Sequence, residues 1–162
     1  MSCAPYVSSA PEVVKKMLEV AEVGPTDIVY DLGCGDGRIL LTSVKDFGAK
    51  KAIGYELRED LYKTTSMEIE KHGLQDRIEL VNADLFTADI SEATVITLYL
   101  TTSANERLRP KLKREAKVGT RIVSHDFRIE GWEPAKRENF HDHTIYLYIV
   151  PAEEPPQIGT KA

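Results

Sequence analysis

The chain has only two cysteines in 162 residues, Cys3 and Cys34, and they stand far apart. Both are read as free thiols, which fits a reducing compartment. No apolar stretch approaches the ~18 residues a membrane span needs, and the N-terminus has no apolar signal-peptide core. A cytoplasmic protein with no membrane partner is therefore expected. Positive charge is not in excess: 21 Lys and Arg face 26 Asp and Glu, for a formal net charge of -5. That balance gives no support for a general nucleic-acid clamp. The chain also lacks internal repeats and any low-complexity body.

What is present is an ordinary globular composition, 42% apolar and 29% charged, with length for one sizeable core. The predicted order begins with a helix near 11–22, opened by Pro11 and closed by Gly24-Pro25. Strands follow at about 27–31, 52–56 and 78–82, with helices near 37–47 and 58–72 between them. A short helix or loop near 85–90 leads to a fourth strand at 93–99. A helix over 103–117 is expected to bend or break at Pro110. A fifth strand spans 120–126, and 139–141 with 144–150 read as a closing antiparallel pair. Four strand–helix repeats predict an α/β Rossmann-like three-layer sandwich with a mostly parallel seven-stranded sheet and an antiparallel last strand. Residues 1–150 are taken as the domain. Residues 151–162, rich in proline and charge, are taken as a flexible tail.

The most informative segment is Tyr30-Asp31-Leu32-Gly33-Cys34-Gly35-Asp36-Gly37-Arg38. A strand end runs through three alternating glycines into a helix start. Such a turn brings backbone close to a ligand and presents free N–H groups. The spacing is G-x-G-x-G, where a dinucleotide turn is G-x-G-x-x-G. Asp36 beside a pyrophosphate would be electrostatically poor. Asp31 points the same way, toward a ligand that carries positive charge and no phosphate, as S-adenosylmethionine does. Glu56, 19 residues after Gly37, ends the second strand, where a carboxylate can take both ribose hydroxyls. Asp84 ends the third and can accept from the adenine amine while Leu85 supports the ring. Taken singly, each acid can equally cap a helix or stay hydrated. An NAD-dependent oxidoreductase is the disfavoured alternative of a different class, and a non-catalytic nucleoside-binding protein is another.

The chain resembles class I, seven-β-strand S-adenosylmethionine-dependent methyltransferases. It is most similar to the small archaeal protein-lysine methyltransferases related to the mitochondrial enzymes that modify the c subunit of ATP synthase. The resemblance rests on Pro5-Tyr6-Val7, YDLGCGDGRI at 30–39, IGYE at 53–56, LYLTTSANERLRPKL at 98–112, GTRIVSHDF at 119–127, Gly131-Trp132 and HTIYLYI at 143–149. It implies Asp31, Gly33, Gly35, Glu56 and Asp84 as residues for S-adenosyl-L-methionine, whose product is S-adenosyl-L-homocysteine. It also implies that Tyr6 and Val7 fold over the cofactor and help form a lysine channel, and that 98–105 line the reaction centre. Protein substrates with exposed lysines are the implied partners, basic proteins among them; Lys15-Lys16, Lys50-Lys51 and Lys111–Lys117 are basic patches that read as solvated helix faces or as targets of self-methylation. A small-molecule or RNA methyltransferase on the same fold is the alternative. No N/D-P-P-Y/F motif follows the fourth strand, which argues against methylation of adenine N6 or glutamine amides.

Tyr99 is expected nearest the transfer, touching cofactor and walling the channel, or else as a strand-end core tyrosine. Thr101, Thr102, Ser103 and Asn105 form a polar cluster that can meet the amine, with Ser103 or Asn105 equally able to cap the next helix. His125 and Asp126 can orient substrate or relay a proton, or pack a loop. Trp132 is either an apolar rim for the lysine stem or a loop anchor. Cys34 is counted at the cofactor and reads as a small filler of the turn. His141 and His143, with Asp142 between them, lack a convincing third ligand, so no metal is expected.

Overall fold

The computed structural model of the chain describes residues 10–33 and 35–151. The elements are α1 (Pro11–Val20), β1 (Ile28–Leu32), α2 (Arg38–Lys45), β2 (Lys51–Tyr55), α3 (Glu59–Lys71), β3 (Ile78–Val81), a 3-10 turn (Leu85–Thr87), β4 (Val95–Leu98), α4 (Thr102–Glu115), β5 (Arg121–His125), β6 (Lys136–Phe140) and β7 (His143–Ile149). The strands form one sheet in the order β3-β2-β1-β4-β5-β7-β6. β1 to β5 run parallel, and β7 lies antiparallel between β5 and β6. This is the predicted α/β sandwich.

Period-two alternation in β1 and β4 sends successive side chains to opposite faces of the sheet. Val29 and Val95 join α1, α2 and Ile69 of α3 in one apolar cluster. Tyr30, Leu32, Ile96 and Leu98 join Leu108 and Leu112 of α4 in the other. Three layers result. Leu98, Leu108 and Leu112 are fully buried, so truncating any one to alanine costs about 2–5 kcal/mol.

Chain order reverses between β1 and β4, which opens a crevice at their carboxyl ends. Asp31 and Thr97 are cross-strand partners there and share one face. At the opposite end of β1, Asp27 is buried and ties three elements together. It accepts from Gly24 N and Thr94 Oγ1, both at 2.8 Å, and pairs with Arg121.

Several boundaries differ from the sequence reading. α1 ends at Val20, because the chain leaves through Glu22 at φ 55°. β4 is narrower than 93–99, running Val95–Leu98 with Tyr99 and Leu100 outside the sheet. Pro110 sits inside α4 without interrupting it; it is exposed, and the helix forgoes one backbone bond there. The cap of α4 is Thr101, whose hydroxyl accepts from Ala104 N at 3.2 Å, in place of Ser103 or Asn105. β6 begins at Lys136, three residues before the predicted 139–141. Its charged, edge-strand sequence hides the apolar alternation that marks inner strands.

Candidate active site

All three glycines of the turn adopt left-handed backbone, with φ of 79° at Gly33, 57° at Gly35 and 77° at Gly37. A Cβ on Gly37 would lie 2.3 Å from Thr65 Cγ2. A Cβ on Gly33 would meet Leu100 at 3.3 Å and Leu85 at 3.6 Å. The ends of β1, β3 and β4 therefore converge on this turn. Thr65, fully buried on α3, also donates its hydroxyl to Gly35 O at 3.1 Å.

Glu56 closes the other side. Its Oε1 accepts from Gly35 N and its Oε2 from Arg58 N, both at 2.8 Å. A carboxylate offers about four lone-pair positions, so each oxygen keeps one for a ligand hydroxyl. Asn82 donates to Glu56 O at 2.9 Å and fixes the loop. Asp84 Oδ1 accepts from Phe86 N at 3.0 Å and caps the 3-10 turn, the capping use that the sequence left open. Leu85 beside it is buried. Asp36 is engaged by Arg38, whose guanidinium bonds Oδ2 at 2.6 Å. Its charge is thus compensated, and Asp31 becomes the decisive acid of the turn.

Asp31 is 2% exposed. Thr97 donates to its Oδ1 at 2.7 Å, and no cation pairs with it among the described residues. Burial pushes its pKa from 3.8 up to about 7; the Thr97 bond opposes this, and the charges of Glu56 and Asp36 add to it. A buried carboxyl in that state favours a ligand carrying positive charge. Glycines that permit close approach, a hydroxyl-accepting Glu56 and a cation-seeking Asp31 fit a nucleoside with an ammonium-bearing tail.

At the ends of β4 and β5, Tyr99 stacks on His125 with ring centroids 4.2 Å apart. His125 Nε2 lies 2.9 Å from His143 Nδ1, which lies 2.9 Å from Asp126 Oδ2. Burial lowers the pKa of His125, against the pull of Asp126. The Asp126 pKa is lowered on balance: burial raises it, and bonds from His143 and Thr144 with the two imidazoles outweigh that. The Tyr99 pKa is raised by burial and then by Asp126. Thr101 and Thr102 begin α4 at the same end of the sheet.

Two predicted residues sit deeper than a channel wall. Asn105 is fully buried and donates to Phe127 O at 3.1 Å and Arg128 O at 3.2 Å, holding the loop after β5, while its Oδ1 has no partner among the described residues. Trp132 is 3% exposed and packs near Tyr148 in the core. His141 and Asp142 form the two-residue turn between β6 and β7, so they border the hairpin. Tyr6, Val7, Cys34 and the 152–162 portion of the tail lie outside the described residues.

The sequence reading missed three residues. Thr97 carried a signal, a hydroxyl in the apolar strand Val95–Leu98. Thr65 looked like any polar helix residue. His143 was grouped with His141 by proximity in sequence, although the β5–β7 pairing brings it to His125.

Residues 31–136 match the ANTKMT methyltransferase domain family. A protein-lysine N-methyltransferase of Saccharolobus islandicus (strain REY15A) is 49% identical over 150 residues, covering 90% of this chain and 93% of that protein. The adenine nucleotide translocase lysine N-methyltransferase of Mus musculus is 28% identical, covering 93% of this chain and 65% of its own length. A crystal structure of an RNA methyltransferase from Salinibacter ruber, in complex with S-adenosyl-L-homocysteine, superposes with a TM-score of 0.89 at 42% identity, covering 95% of this chain and all of that one.

Proposed function

The chain belongs to the ANTKMT methyltransferase domain family, and on that premise we propose that it transfers the methyl group of S-adenosyl-L-methionine to the side-chain amines of exposed protein lysines. The observation that carries this reading is Asp31: a buried carboxyl at the switch point of the sheet, with no cation paired to it among the described residues, beside three left-handed glycines. In this reading Asp31 holds the ammonium of the cofactor, directly or through water. Glu56 takes the ribose hydroxyls, Asp84 accepts from the adenine amine, and Leu85 supports the ring. Gly33 and Gly35 line the approach. The cofactor supplies a methyl group on a sulfonium.

The chain's remaining task concerns the lysine. At pH 7 only about 0.04% of a free lysine is neutral. Tyr99, partly buried against His125, together with Thr101 and Thr102, walls the approach and removes water from the amine, which favours its neutral form. His125 and Asp126 stand one ring beyond Tyr99 and help orient the substrate. Asn105 acts by positioning, since its amide fixes the loop that carries Phe127 and Arg128. Trp132 anchors the segment behind. Fixing the two reactants in line supplies much of the rate.

The small domain favours an open site and broad choice among lysine-bearing proteins, basic ones included. Self-methylation has exposed acceptors in Lys15, 57% exposed, and Lys50. A cytoplasmic setting, where two thiols stay reduced, completes the proposal. An RNA substrate is the second reading, favoured by the Salinibacter ruber relative and opposed by the net charge of -5. Incubation with methyl-labelled cofactor, mixed proteins and RNA separates the two. Label on lysine ε-amines, read by mass spectrometry, is the expected result; label confined to RNA overturns the lysine assignment.

A further inference from the structure

Among the described residues, His125, Asp126 and His143 are the one group of three potential metal ligands whose donor atoms converge, and His141 is not part of it. The donor atoms form a small triangle. His125 Nε2 to His143 Nδ1 is 2.9 Å, His143 Nδ1 to Asp126 Oδ2 is 2.9 Å, and His125 Nε2 to Asp126 Oδ2 is 3.3 Å.

Proton bookkeeping does not explain that triangle. Three close contacts among three atoms need a proton on each edge. If His143 Nδ1 donates to Asp126, it cannot also accept from His125 Nε2. If it accepts from His125, then its lone pair and that of Asp126 Oδ2 have no proton between them. If both rings donate to Asp126, two N–H groups face each other at 2.9 Å. A metal ion resolves all three edges at once. Zinc binds nitrogen and oxygen ligands at about 2.0–2.2 Å, which sets tetrahedral ligand atoms roughly 3.3 Å apart. A point about 1 Å above this triangle is about 2 Å from every corner, within the range for zinc.

The backbone supports the same use. Asp126 has φ 67°, an unusual conformation for a residue other than glycine. Two bonds to Thr144 hold it there: Asp126 N donates to Thr144 O at 2.7 Å, and Thr144 N donates to Asp126 Oδ1 at 2.9 Å. Oδ1 is thereby occupied and Oδ2 is turned toward the two imidazoles. That is how outer hydrogen bonds orient a metal-binding carboxylate. His125 is 1% exposed, whereas His143 and Asp126 are 35% and 30% exposed. The triad is therefore rigid on its inner side and reachable from solvent on its outer side.

We propose that His125 Nε2, His143 Nδ1 and Asp126 Oδ2 form a three-ligand site for one divalent transition metal ion, best matched by zinc, at the carboxyl end of β5 beside Tyr99. The two-imidazole, one-carboxylate set suits zinc and leaves a fourth position for water. The inference rests on these three residues and does not depend on which substrate receives a methyl group.

The test uses the full chain without a polyhistidine tag, stripped with chelator and then dialysed. Zinc chloride is titrated by calorimetry, and cobalt(II) is followed by its visible absorption. One ion per chain is expected, with an absorption spectrum of four-coordinate cobalt. Asp126→Asn keeps a residue that tolerates left-handed backbone and removes the charged ligand. It should lower zinc affinity at least tenfold, as should His143→Ala, while His141→Ala leaves affinity unchanged. Circular dichroism confirms that each variant is folded. Absence of saturable binding, or binding that survives both Asp126→Asn and His143→Ala, overturns the site.

Discussion

Two buried aspartates stand four positions apart at opposite ends of β1, and they are treated in opposite ways. Asp27, 5% exposed, is satisfied on every side: Arg121 pairs with it, the Thr94 hydroxyl donates to it, and Gly24 N reaches its second oxygen. Asp31, 2% exposed, has the Thr97 hydroxyl and no cation among the described residues. One carboxylate stitches the start of β1 to the entries of β4 and β5 and to the loop that precedes it. The other is held ready at the cost of a pKa raised to about 7. Asp27 is paired by the fold itself, and Asp31, with no cation among the described residues, is the acid we propose receives a cation from outside.

The contrast is broken most forcefully at Asp27. Asp27→Ala takes the carboxylate from Arg121, which keeps only its bonds to the Ala21 and Glu22 carbonyls, and leaves the Gly24 N–H without its acceptor, and should cost about 3 kcal/mol of folding stability. In a denaturant titration the midpoint should fall while the slope stays constant. A loss no greater than that from Asp31→Asn would erase the distinction between the two acids.

Asp31→Asn should act in the other direction. Its folded pKa of about 7 lies above the ordinary 3.8. Between about pH 4 and 7 the unfolded chain releases this proton while the folded chain keeps it, so wild-type stability declines as pH rises through that window. The neutral variant escapes the decline. It should match the wild type near pH 4 and exceed it at pH 8, by up to a few kcal/mol. Thermal melts across that range, without cofactor, provide the check. The smallest effect belongs to Thr97→Val, which deletes the hydroxyl that supports the ionised form. A cost of about 1 kcal/mol is expected, larger at pH 8 than at pH 5, where Asp31 is mostly neutral.

Much of this was legible in the chain. The G-x-G-x-G turn, Asp31, Glu56 and Asp84 were marked by residue type at strand ends, and the strand–helix alternation gave the sheet. Boundaries were harder where signals cancelled, as in the charged β6 and at Pro110, which α4 accommodates on its exposed side. Contacts across the sheet were illegible. No local pattern says that Thr97 faces Asp31, that Thr65 crowds Gly37, or that His143 meets His125 and Asp126; those depend on parallel register at the switch point and on the antiparallel docking of β7.

The central claim is that Asp31 waits for the cationic tail of the cofactor, and calorimetric titration of S-adenosyl-L-homocysteine between pH 5.5 and 8 tests it most directly. Affinity should climb nearly tenfold per pH unit up to about pH 7 and then level, before the ligand's own α-amine begins to lose its charge at higher pH. Binding at pH 6 should release a proton, detected as a heat that varies with the buffer's ionisation enthalpy, and Asp31→Asn should bind roughly a hundredfold more weakly at pH 7.5 with no such release. An affinity that is flat across this range, and unchanged in Asp31→Asn, would contradict the account.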